Sequence, residues 1–107
     1  MSDKPVASWV ITAFNEEAFI SNAIDSILRQ DSESPFEILV VDDASSDRTV
    51  DIAEAKAIQA SRDPRLTRFA IIKNTINLGR SRSANIGCSK AEGEYIFRLD
   101  ADDEALP

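Results

Sequence analysis

Acidic side chains are concentrated at two points of this sequence, each directly after a short apolar run. The first group is Asp42 and Asp43, and the second group is Asp100, Asp102, Asp103 and Glu104. Two like charges about 4 Å apart repel each other by about 4 kcal/mol at an effective dielectric constant of about 20. Carboxylates gathered in one crevice therefore require a cation, or hydroxyl groups that donate hydrogen bonds to them.

A nucleotide that carries a sugar, bound together with Mg²⁺ or Mn²⁺, supplies both kinds of compensation. Ribose and base groups donate hydrogen bonds to some carboxylates, and the divalent ion links another carboxylate to the diphosphate. The last acidic segment can also be a solvated turn, the start of a helix or a calcium site, although the ligand spacing of an EF-hand loop is absent. We expect this segment to be extended, with Asp100 and Asp102 on one side of it and able to share a ligand.

Composition excludes several other kinds of site. The 107 residues include no histidine, which rules out histidine-based zinc sites and Ser-His or Cys-His catalysis. The single cysteine, Cys88, cannot form an internal disulfide bond. Neither the G-x-G-x-x-G nor the G-x-x-x-x-G-K-[ST] pattern occurs, so the sequence supports neither a dinucleotide fold nor a P-loop.

The charge balance limits the partners and the location. Nineteen acidic residues against twelve basic ones give a net charge of -7, whereas proteins that bind nucleic acid cluster Lys and Arg. The first residues, MSDKPVAS, lack the apolar run of a signal peptide, and no stretch approaches the roughly 18 apolar residues of a membrane span. We therefore expect a cytoplasmic protein that does not bind nucleic acid, with membrane association only in a longer form.

Four apolar runs rich in β-branched and aromatic residues predict strands that are covered on both faces of a parallel sheet. They span residues 7–13, 37–41, 68–73 and 94–99. Helical spacing between them predicts three helices. The first helix has Asn15 as its N-cap, the second spans residues 47–60 with Ser45 or Ser46 as its cap, and the third spans residues 80–91.

The predicted order is β-α-β-α-β-α-β in a single domain over residues 1–107. Short connections and right-handed crossovers convert that order into a doubly wound α/β half-domain, with a mostly parallel sheet of strand order 3-2-1-4. Ligands of such sheets bind outside the carboxyl ends of the strands, and polar residues follow all four predicted strands. The fourth strand lies at an edge of this sheet, through which we expect a homodimer to form.

Several residues at the strand ends also have structural interpretations. Phe14 either packs against the first helix or forms a wall for a planar ring. Asn77 and Gly79 are typical of a turn before a helix, in which glycine supplies a positive φ. A helix cap accounts for one of Asp42 and Asp43 at most, which leaves the other available for a functional role.

Four segments together resemble the amino-terminal half of the family 2 glycosyltransferases, which have the GT-A fold and use nucleotide-sugar donors. The segments are SWVITAFNEE, FEILVVDDASSDRT, NLGRSRSANIG and AEGEYIFRLDADD. They cover nearly the whole chain in the order and spacing of the family. The resemblance implies a GT-A/Rossmann-like half-domain and an inverting, metal-dependent transfer of a sugar to an acceptor, with a UDP-sugar as the first candidate donor.

The resemblance also assigns roles to individual residues. The implied nucleotide-binding residues are Thr12, Ala13, Phe14, Glu16, Asp43, Asp100 and Ala101. In the family pattern, Asp43 would accept a hydrogen bond from the base and Asp100 would hold the ribose. Asp102, the second acid of a D-x-D motif, would coordinate the Mg²⁺ or Mn²⁺ ion that bridges the donor diphosphate.

The sequence departs from the family pattern at two positions. Family members often carry Pro where this chain has Thr12, and often carry Arg where it has Ala84. The nucleotide contact of that arginine therefore cannot be transferred to this chain. Arg80 and Arg82 are candidate substitutes, although a solvated helix face is the simpler interpretation of both.

In the family, the acceptor site and the carboxylate that acts as general base follow the D-x-D strand. Because this sequence ends at Pro107, we expect a truncated fragment of a longer transferase, with the donor half alone and little or no transfer activity. Two alternatives remain open. One is a noncatalytic nucleotide-sugar-binding or interaction module, and the other is a nucleotidyltransferase, which usually has a glycine-rich basic loop where this chain reads TAFNEE.

Overall fold

The structure is a computed structural model that describes residues 4–105. Within these residues, strands and helices alternate along the chain. In chain order they are β1 (Ala7–Ala13), α1 (Ile20–Leu28), β2 (Phe36–Asp42), α2 (Thr49–Ala60), β3 (Leu66–Lys73), α3 (Arg80–Lys90) and β4 (Tyr95–Asp100). The strands are parallel and lie in the order β3-β2-β1-β4. The predicted α/β class and strand order are confirmed.

β2 lies inside the sheet, and all of its residues are buried. Helices cover both of its faces, which is why its sequence shows no alternation of polar and apolar residues. On one face, Ile24 of α1 and Ala53 of α2 belong to the same core cluster as Val40. On the other face, Gly87 of α3 lies against Val41. The sheet is therefore doubly wound, as predicted.

α3 lies very close to the sheet because the residues that face the sheet are small. A Cβ atom added to Gly87 would come within 2.4 Å of Val10 Cγ1 and 3.0 Å of Val41 Cγ2. Ala84, one turn earlier, is only 2% exposed. Gly87 lowers the helix propensity of this segment, but it permits a close approach that fixes the start of α3 beside the carboxyl ends of the strands.

The N-caps predicted for α1 and α2 are wrong. α1 begins only at Ile20 and α2 begins at Thr49, and neither helix has a hydrogen bond from a capping side chain. Asn15, Ser45 and Ser46 lie in the loops that precede these helices. Asn15 in the first loop bonds to Ser45 and Ser46 in the second loop.

A buried carboxylate connects the amino ends of the strands. Glu37 of β2 is fully buried, and its Oε2 accepts hydrogen bonds from Ser8 Oγ at 2.6 Å and from the N–H of Glu92 at 2.7 Å. Arg68 of β3 donates to Glu37 Oε1 through Nε at 2.9 Å, and its Nη2 lies 2.8 Å from the same oxygen. This network joins β1, β2, β3 and the connection between α3 and β4.

Within residues 4–105, β4 is an edge strand that pairs with β1 alone, as the predicted strand order requires. Three of its residues remain substantially exposed, Tyr95 at 60%, Ile96 at 43% and Phe97 at 44%. Phe97 stacks on Trp9 of β1, with the ring centroids 4.7 Å apart and the planes inclined by 24°. The apolar surface at this edge is therefore only partly covered within the described residues.

Candidate functional site

A cavity of about 410 Å³ lies at the carboxyl ends of β1, β2 and β4. The residues that the resemblance assigns to nucleotide and metal binding all contribute to its wall. These residues are Thr12, Ala13, Phe14, Glu16, Asp43, Asp100, Ala101 and Asp102. The carboxyl ends of parallel strands meet at one edge of a sheet, so segments far apart in the sequence converge at this point.

Thr12 and Asp100 connect the ends of β1 and β4. The two residues are partners in the sheet, and Thr12 Oγ1 donates a hydrogen bond of 3.0 Å to Asp100 Oδ1. The N–H of Ala101 donates to the carbonyl oxygen of Thr12 at 2.9 Å. The Thr12 hydroxyl, which a proline at this position would lack, therefore orients the Asp100 carboxylate.

Asp43 holds the segment that leads into α3. Its Oδ1 accepts hydrogen bonds from the N–H of Leu78 at 2.7 Å and from Asn74 Nδ2 at 3.0 Å, and its Oδ2 accepts one from the N–H of Gly79 at 2.9 Å. Burial acts to raise the pKa of Asp43, but these donors and Ser83 stabilise its charged form, so that its pKa is lowered. Asp43 is therefore an ionised carboxylate at neutral pH and already organises one wall of the cavity.

The predicted positive φ of Gly79 is confirmed. Its φ is 92°, in the backbone region that favours glycine, and it directly precedes the first residue of α3. Asn77, in the same segment, donates from Nδ2 to the carbonyl oxygen of Asp43 at 3.3 Å. Both residues line the cavity, so the segment that connects β3 to α3 forms part of the wall.

Asn15 joins the loop that follows β1 to the loop that follows β2. It adopts a left-handed conformation with φ 52°. Its N–H donates to Ser45 Oγ at 2.8 Å, and its Oδ1 accepts from the N–H of Ser46 at 2.8 Å. The N–H of Glu16 donates to Thr49 Oγ1 at 2.9 Å. These bonds fix the backbone that presents Glu16 to the cavity.

Phe14 lies at the cavity wall and not in the core. It is 48% exposed and does not belong to the core cluster that contains Ile20 and Ile24. This position is compatible with a wall for a planar ring, and that role stays a prediction. A half-exposed aromatic ring beside a cavity offers a stacking surface for a heterocyclic base.

The acidic residues after β4 lie in a turn. The expectation of an extended segment is wrong, because the N–H of Asp103 donates a hydrogen bond of 2.9 Å to the carbonyl oxygen of Asp100. Asp100 and Asp102 nevertheless lie together, and the turn adds Asp103. Carboxylate oxygens of the three residues lie within 4.8 Å of one another. Asp103 was not selected from the sequence, because strand alternation places it on the opposite side of the chain.

Glu16 brings a further carboxylate to these acids. Burial raises the pKa of Glu16, and the negative charges of Asp102, Asp47 and Asp100 raise it further. In the described part of the chain, no lysine or arginine forms an ion pair with Asp102 or Asp103. Carboxylate oxygens are the ligands that Mg²⁺ and Mn²⁺ prefer, so a divalent cation fits the chemistry of this group.

Arg80 belongs to the cavity, so its interpretation as part of a solvated helix face is incomplete. Its Nη1 lies 2.9 Å from Asp100 Oδ2, although its side chain is 73% exposed. It lines the cavity, whereas Arg82 is exposed on the same helix and does not. The helical spacing of α3 alone cannot show which arginine reaches the sheet, because that depends on the strand order and on how α3 packs.

Known proteins share both the sequence pattern and the fold. The model of the family described as Glycosyl transferase family 2 matches residues 8–107. This chain belongs to glycosyltransferase family 2. An uncharacterized glycosyltransferase of Haemophilus influenzae is 38% identical over 107 residues, which are 100% of this chain and 31% of that protein. The chain spans about a third of the length of the curated family 2 relatives that it matches.

Solved glycosyltransferases have the same arrangement of strands and helices. The crystal structure of S. aureus TarS 1-349 in complex with UDP-GlcNAc matches with a TM-score of 0.77 and 29% identity, over 92% of this chain and 27% of that one. Mannosyltransferase PcManGT from Pyrobaculum calidifontis, in complex with GDP-Man and Mn²⁺, matches with a TM-score of 0.80 and 26% identity, over 97% and 29% of the two chains. The GT-A fold expected of a family 2 transferase is confirmed.

Proposed function

We propose that this chain is the donor-binding part of an inverting, metal-dependent glycosyltransferase that uses a nucleotide-diphosphate sugar. The observation that carries the proposal is the convergence of Asp43, Asp100 and Asp102 on one cavity. The cavity volume of about 410 Å³ falls within the range of about 300–1,000 Å³ typical of small-molecule sites. The proposed inverting stereochemistry rests on the family membership.

The side of the cavity formed by β1 and β2 is proposed to bind the nucleoside. Phe14 offers a ring surface to the base, and Asp43 lies 4% exposed at the cavity wall with its charge stabilised by backbone donors. Asp100, oriented by Thr12, is placed to accept hydrogen bonds from ribose hydroxyls beside Ala101. Glu16 completes the nucleotide-binding residues on the neighbouring loop.

Asp102 is proposed to hold the divalent ion of a D-x-D motif, with Asp100 and Asp103 as neighbouring ligands. The support is the cluster of their carboxylate oxygens within 4.8 Å and the absence of a basic partner for Asp102 and Asp103 within the described residues. When bound, Mg²⁺ or Mn²⁺ supplies Lewis-acid stabilisation of the negative charge on the departing nucleotide diphosphate.

A UDP-sugar is the donor that we propose first. The solved TarS structure was obtained in complex with UDP-GlcNAc, which supports a uracil base. PcManGT was obtained in complex with GDP-Man and Mn²⁺, which supports the divalent ion and leaves a guanine base as the competing possibility. The base is therefore the first variable of the binding experiment.

The binding experiment titrates UDP, GDP and dTDP into the protein by calorimetry, with Mn²⁺ and with excess EDTA. We expect UDP to bind in Mn²⁺ and to lose most of its affinity in EDTA, because the ion links the carboxylates to the diphosphate. Asp102→Ala should reproduce the loss. Glu104→Ala is the matched control, because Glu104 is an exposed acid that directly follows the group Asp100, Asp102 and Asp103 and does not belong to it.

Binding of UDP that is unaffected by Mn²⁺ and by Asp102→Ala would contradict the metal site. Failure of all three nucleotides to bind would favour an interaction module that does not bind nucleotides. Tighter binding of GDP than of UDP would change the proposed donor and leave the site assignment intact.

The acceptor site and the general base are proposed to lie outside these 107 residues. The chain spans about a third of the length of its curated relatives, and the family pattern places the general base after the D-x-D strand. We expect the purified chain to bind donor without transferring sugar. Detection of transferred radiolabelled sugar, at rates above those of the Asp102→Ala variant, would show that the base lies within this chain.

Two further expectations concern association and location. Among the described residues, β4 has a neighbouring strand on one side only and exposes apolar side chains, so pairing of two copies through β4 is proposed. A mass measured by light scattering that stays monomeric at high concentration would contradict it. No helix in the part of the chain that the structure describes has the length and hydrophobicity needed to cross a membrane. The cytoplasmic location remains a prediction.

A further inference from the structure

We propose that Arg80 is a donor-binding residue that exchanges its present partner, the Asp100 carboxylate, for the diphosphate of the donor. The inference rests on the proposed function and extends it to a group that the family pattern does not assign. Family members often carry an arginine at the position of Ala84. In this chain, Arg80 would supply the cationic contact to the diphosphate instead. Four features of the site support it.

The first feature is the position of the side chain. Arg80 is the first residue of α3, it lines the cavity, and its Nη1 lies 2.9 Å from Asp100 Oδ2. The cavity wall contains the acids Glu16, Asp43, Asp100 and Asp102, and Arg80 is the one basic residue among the described residues that line it. An anionic ligand therefore meets one basic side chain of the wall in this cavity.

The second feature is that Arg80 is loosely held in comparison with the arginines at the other end of the sheet. Arg65 is 20% exposed at its side chain and is fixed by Asp63 and by the carbonyl oxygens of Gln30 and Leu28. The side chain of Arg80 is 73% exposed. Ion pairs at such exposure contribute little to stability, so the present pair can be broken readily.

The third feature is that Asp100 does not depend on Arg80 for its orientation. Its Oδ1 accepts the hydrogen bond from Thr12 Oγ1 while its Oδ2 faces Arg80. When the guanidinium moves away, the carboxylate keeps one partner and gains an accessible oxygen for a ribose hydroxyl or a cation. Movement of the Arg80 guanidinium therefore frees it for the diphosphate and leaves Asp100 held by Thr12.

The fourth feature is the chemistry of the guanidinium group. Its planar set of N–H donors matches the oxygens of a phosphate in a bidentate manner, and such charge-assisted bonds are stronger than ordinary hydrogen bonds. The movement meets little steric resistance, because the side chain of Arg80 is 73% exposed. The start of α3 at the same place adds the positive end of a helix dipole.

The test compares Arg80→Ala, Arg80→Lys and the control Arg82→Ala by calorimetry, with uridine, UMP and UDP (or the guanosine series if GDP binds more tightly) in Mn²⁺. We expect Arg80→Ala to weaken UDP binding about tenfold, as loss of a charge-assisted contact does, and to leave uridine binding unchanged. The UDP affinity of Arg80→Lys should lie between those of Arg80→Ala and the unsubstituted protein, because lysine keeps the positive charge but lacks the planar set of N–H donors. Arg82→Ala should match the unsubstituted protein, since Arg82 is exposed outside the cavity.

A second measurement distinguishes a phosphate contact from a merely structural role. Mn²⁺ alone, titrated without nucleotide, should bind to Arg80→Ala as tightly as to the unsubstituted protein or more tightly, because the competing guanidinium near Asp100 is gone. A structural role would weaken uridine, UDP and Mn²⁺ together. Equal UDP affinity in Arg80→Ala and Arg82→Ala, or equal losses for uridine and UDP, would overturn this inference alone. Absence of UDP and GDP binding by the unsubstituted protein would overturn the proposed function and this inference with it.

Discussion

The two ends of the sheet compensate their carboxylates in opposite ways. At the amino ends, Glu37 is fully buried and receives donors from Ser8, Glu92 and Arg68, all supplied by the chain itself. At the carboxyl ends, Asp102 is exposed, lies within a few ångströms of other acids and has no ion-pair partner among the described residues. The first arrangement stabilises the fold, whereas the second leaves negative charge for an external cation.

Asp43 shows that burial alone does not decide whether a carboxylate is compensated by the chain or left for an external cation. It is 4% exposed and lies at the carboxyl ends, yet its charge is satisfied by backbone and side-chain donors. Among the acids of the cavity wall, Glu16 and Asp102 accept no such hydrogen bonds within residues 4–105. The chain therefore satisfies the charge of Asp43 with its own donors and leaves the charges of Asp102 and Glu16 to an external cation or ligand.

Arg68→Ala should give the largest loss of stability, because it leaves the buried Glu37 carboxylate without its cation. We expect a loss of about 3 kcal/mol, at the low end for a broken buried ion pair since Ser8 and Glu92 still donate to Glu37. Chemical denaturation measures this loss as a change in the free energy of unfolding.

Arg80→Ala is the matched variant at the other end of the sheet. It should lose less than about 0.5 kcal/mol of stability, because the ion pair of Arg80 is exposed. Equal losses in the two variants would remove the distinction between the two ends.

Gly93→Ala should destabilise the amino end by about 2 kcal/mol. A Cβ atom at this position would lie 2.6 Å from Ser8 Oγ and 2.8 Å from the carbonyl carbon of Ala7, so the backbone must shift and disturb the donors to Glu37. At the carboxyl end, a Cβ atom on Gly79 would meet no atom within 4 Å. Gly79→Ala should therefore lose about 1 kcal/mol of stability, through the positive φ of this position alone. A larger loss at Gly79 than at Gly93, in thermal melts of the two variants, would contradict this order.

Asp43→Asn should cost about 1–2 kcal/mol at neutral pH, because the NH2 group that replaces one carboxylate oxygen cannot accept the hydrogen bond that Leu78 or Gly79 donates to that oxygen. The pKa of Asp43 is lowered in the folded protein. Its carboxylate therefore stabilises the fold above its unfolded pKa, and that stabilisation is lost as the pH falls through the folded pKa. The difference between the two proteins should shrink below about pH 4. A difference in unfolding free energy that is constant from pH 7 to pH 3 would refute the assignment.

Glu16→Gln should give the smallest effect and the opposite sign, a gain below about 0.5 kcal/mol at pH 7 in EDTA. The pKa of Glu16 is raised by burial and by nearby acids, so the unsubstituted protein loses stability as the pH rises through that pKa. Below the unfolded value of 4.5 the two proteins should have equal melting temperatures. A Gln variant that melts lower at pH 7 would show that Glu16 has a stabilising partner.

Much of the fold follows from local sequence patterns. Continuous apolar runs predicted the four strands, and the structure extends or shifts their ends by only one or two residues, as in Leu66–Lys73 for the predicted 68–73. The strand order follows from short connections and crossover handedness. Once the order is known, the residues after each strand must meet at one edge, which is why the selected residues line a single cavity.

The unpredicted features depend on contacts between distant residues. Glu37 bonds to residues 29, 31 and 55 positions away, and no local pattern encodes such partners. Asn15 is a residue type that often caps helices. Its side chain instead accepts a hydrogen bond from Ser46 in another loop, and α1 begins only at Ile20. Arg80 and Arg82 look equivalent in the sequence, and only the packing of α3 distinguishes them.

The stacking of Trp9 on Phe97 gives the protein an intrinsic optical reporter. Trp9 is the sole tryptophan of the sequence, and the ring on which it stacks belongs to the edge strand β4. Its fluorescence therefore monitors one defined place, the junction between β1 and β4. Detachment of β4, or its coverage by another polypeptide, should shift the emission maximum, while events confined to α2 and β3 should leave the spectrum unchanged.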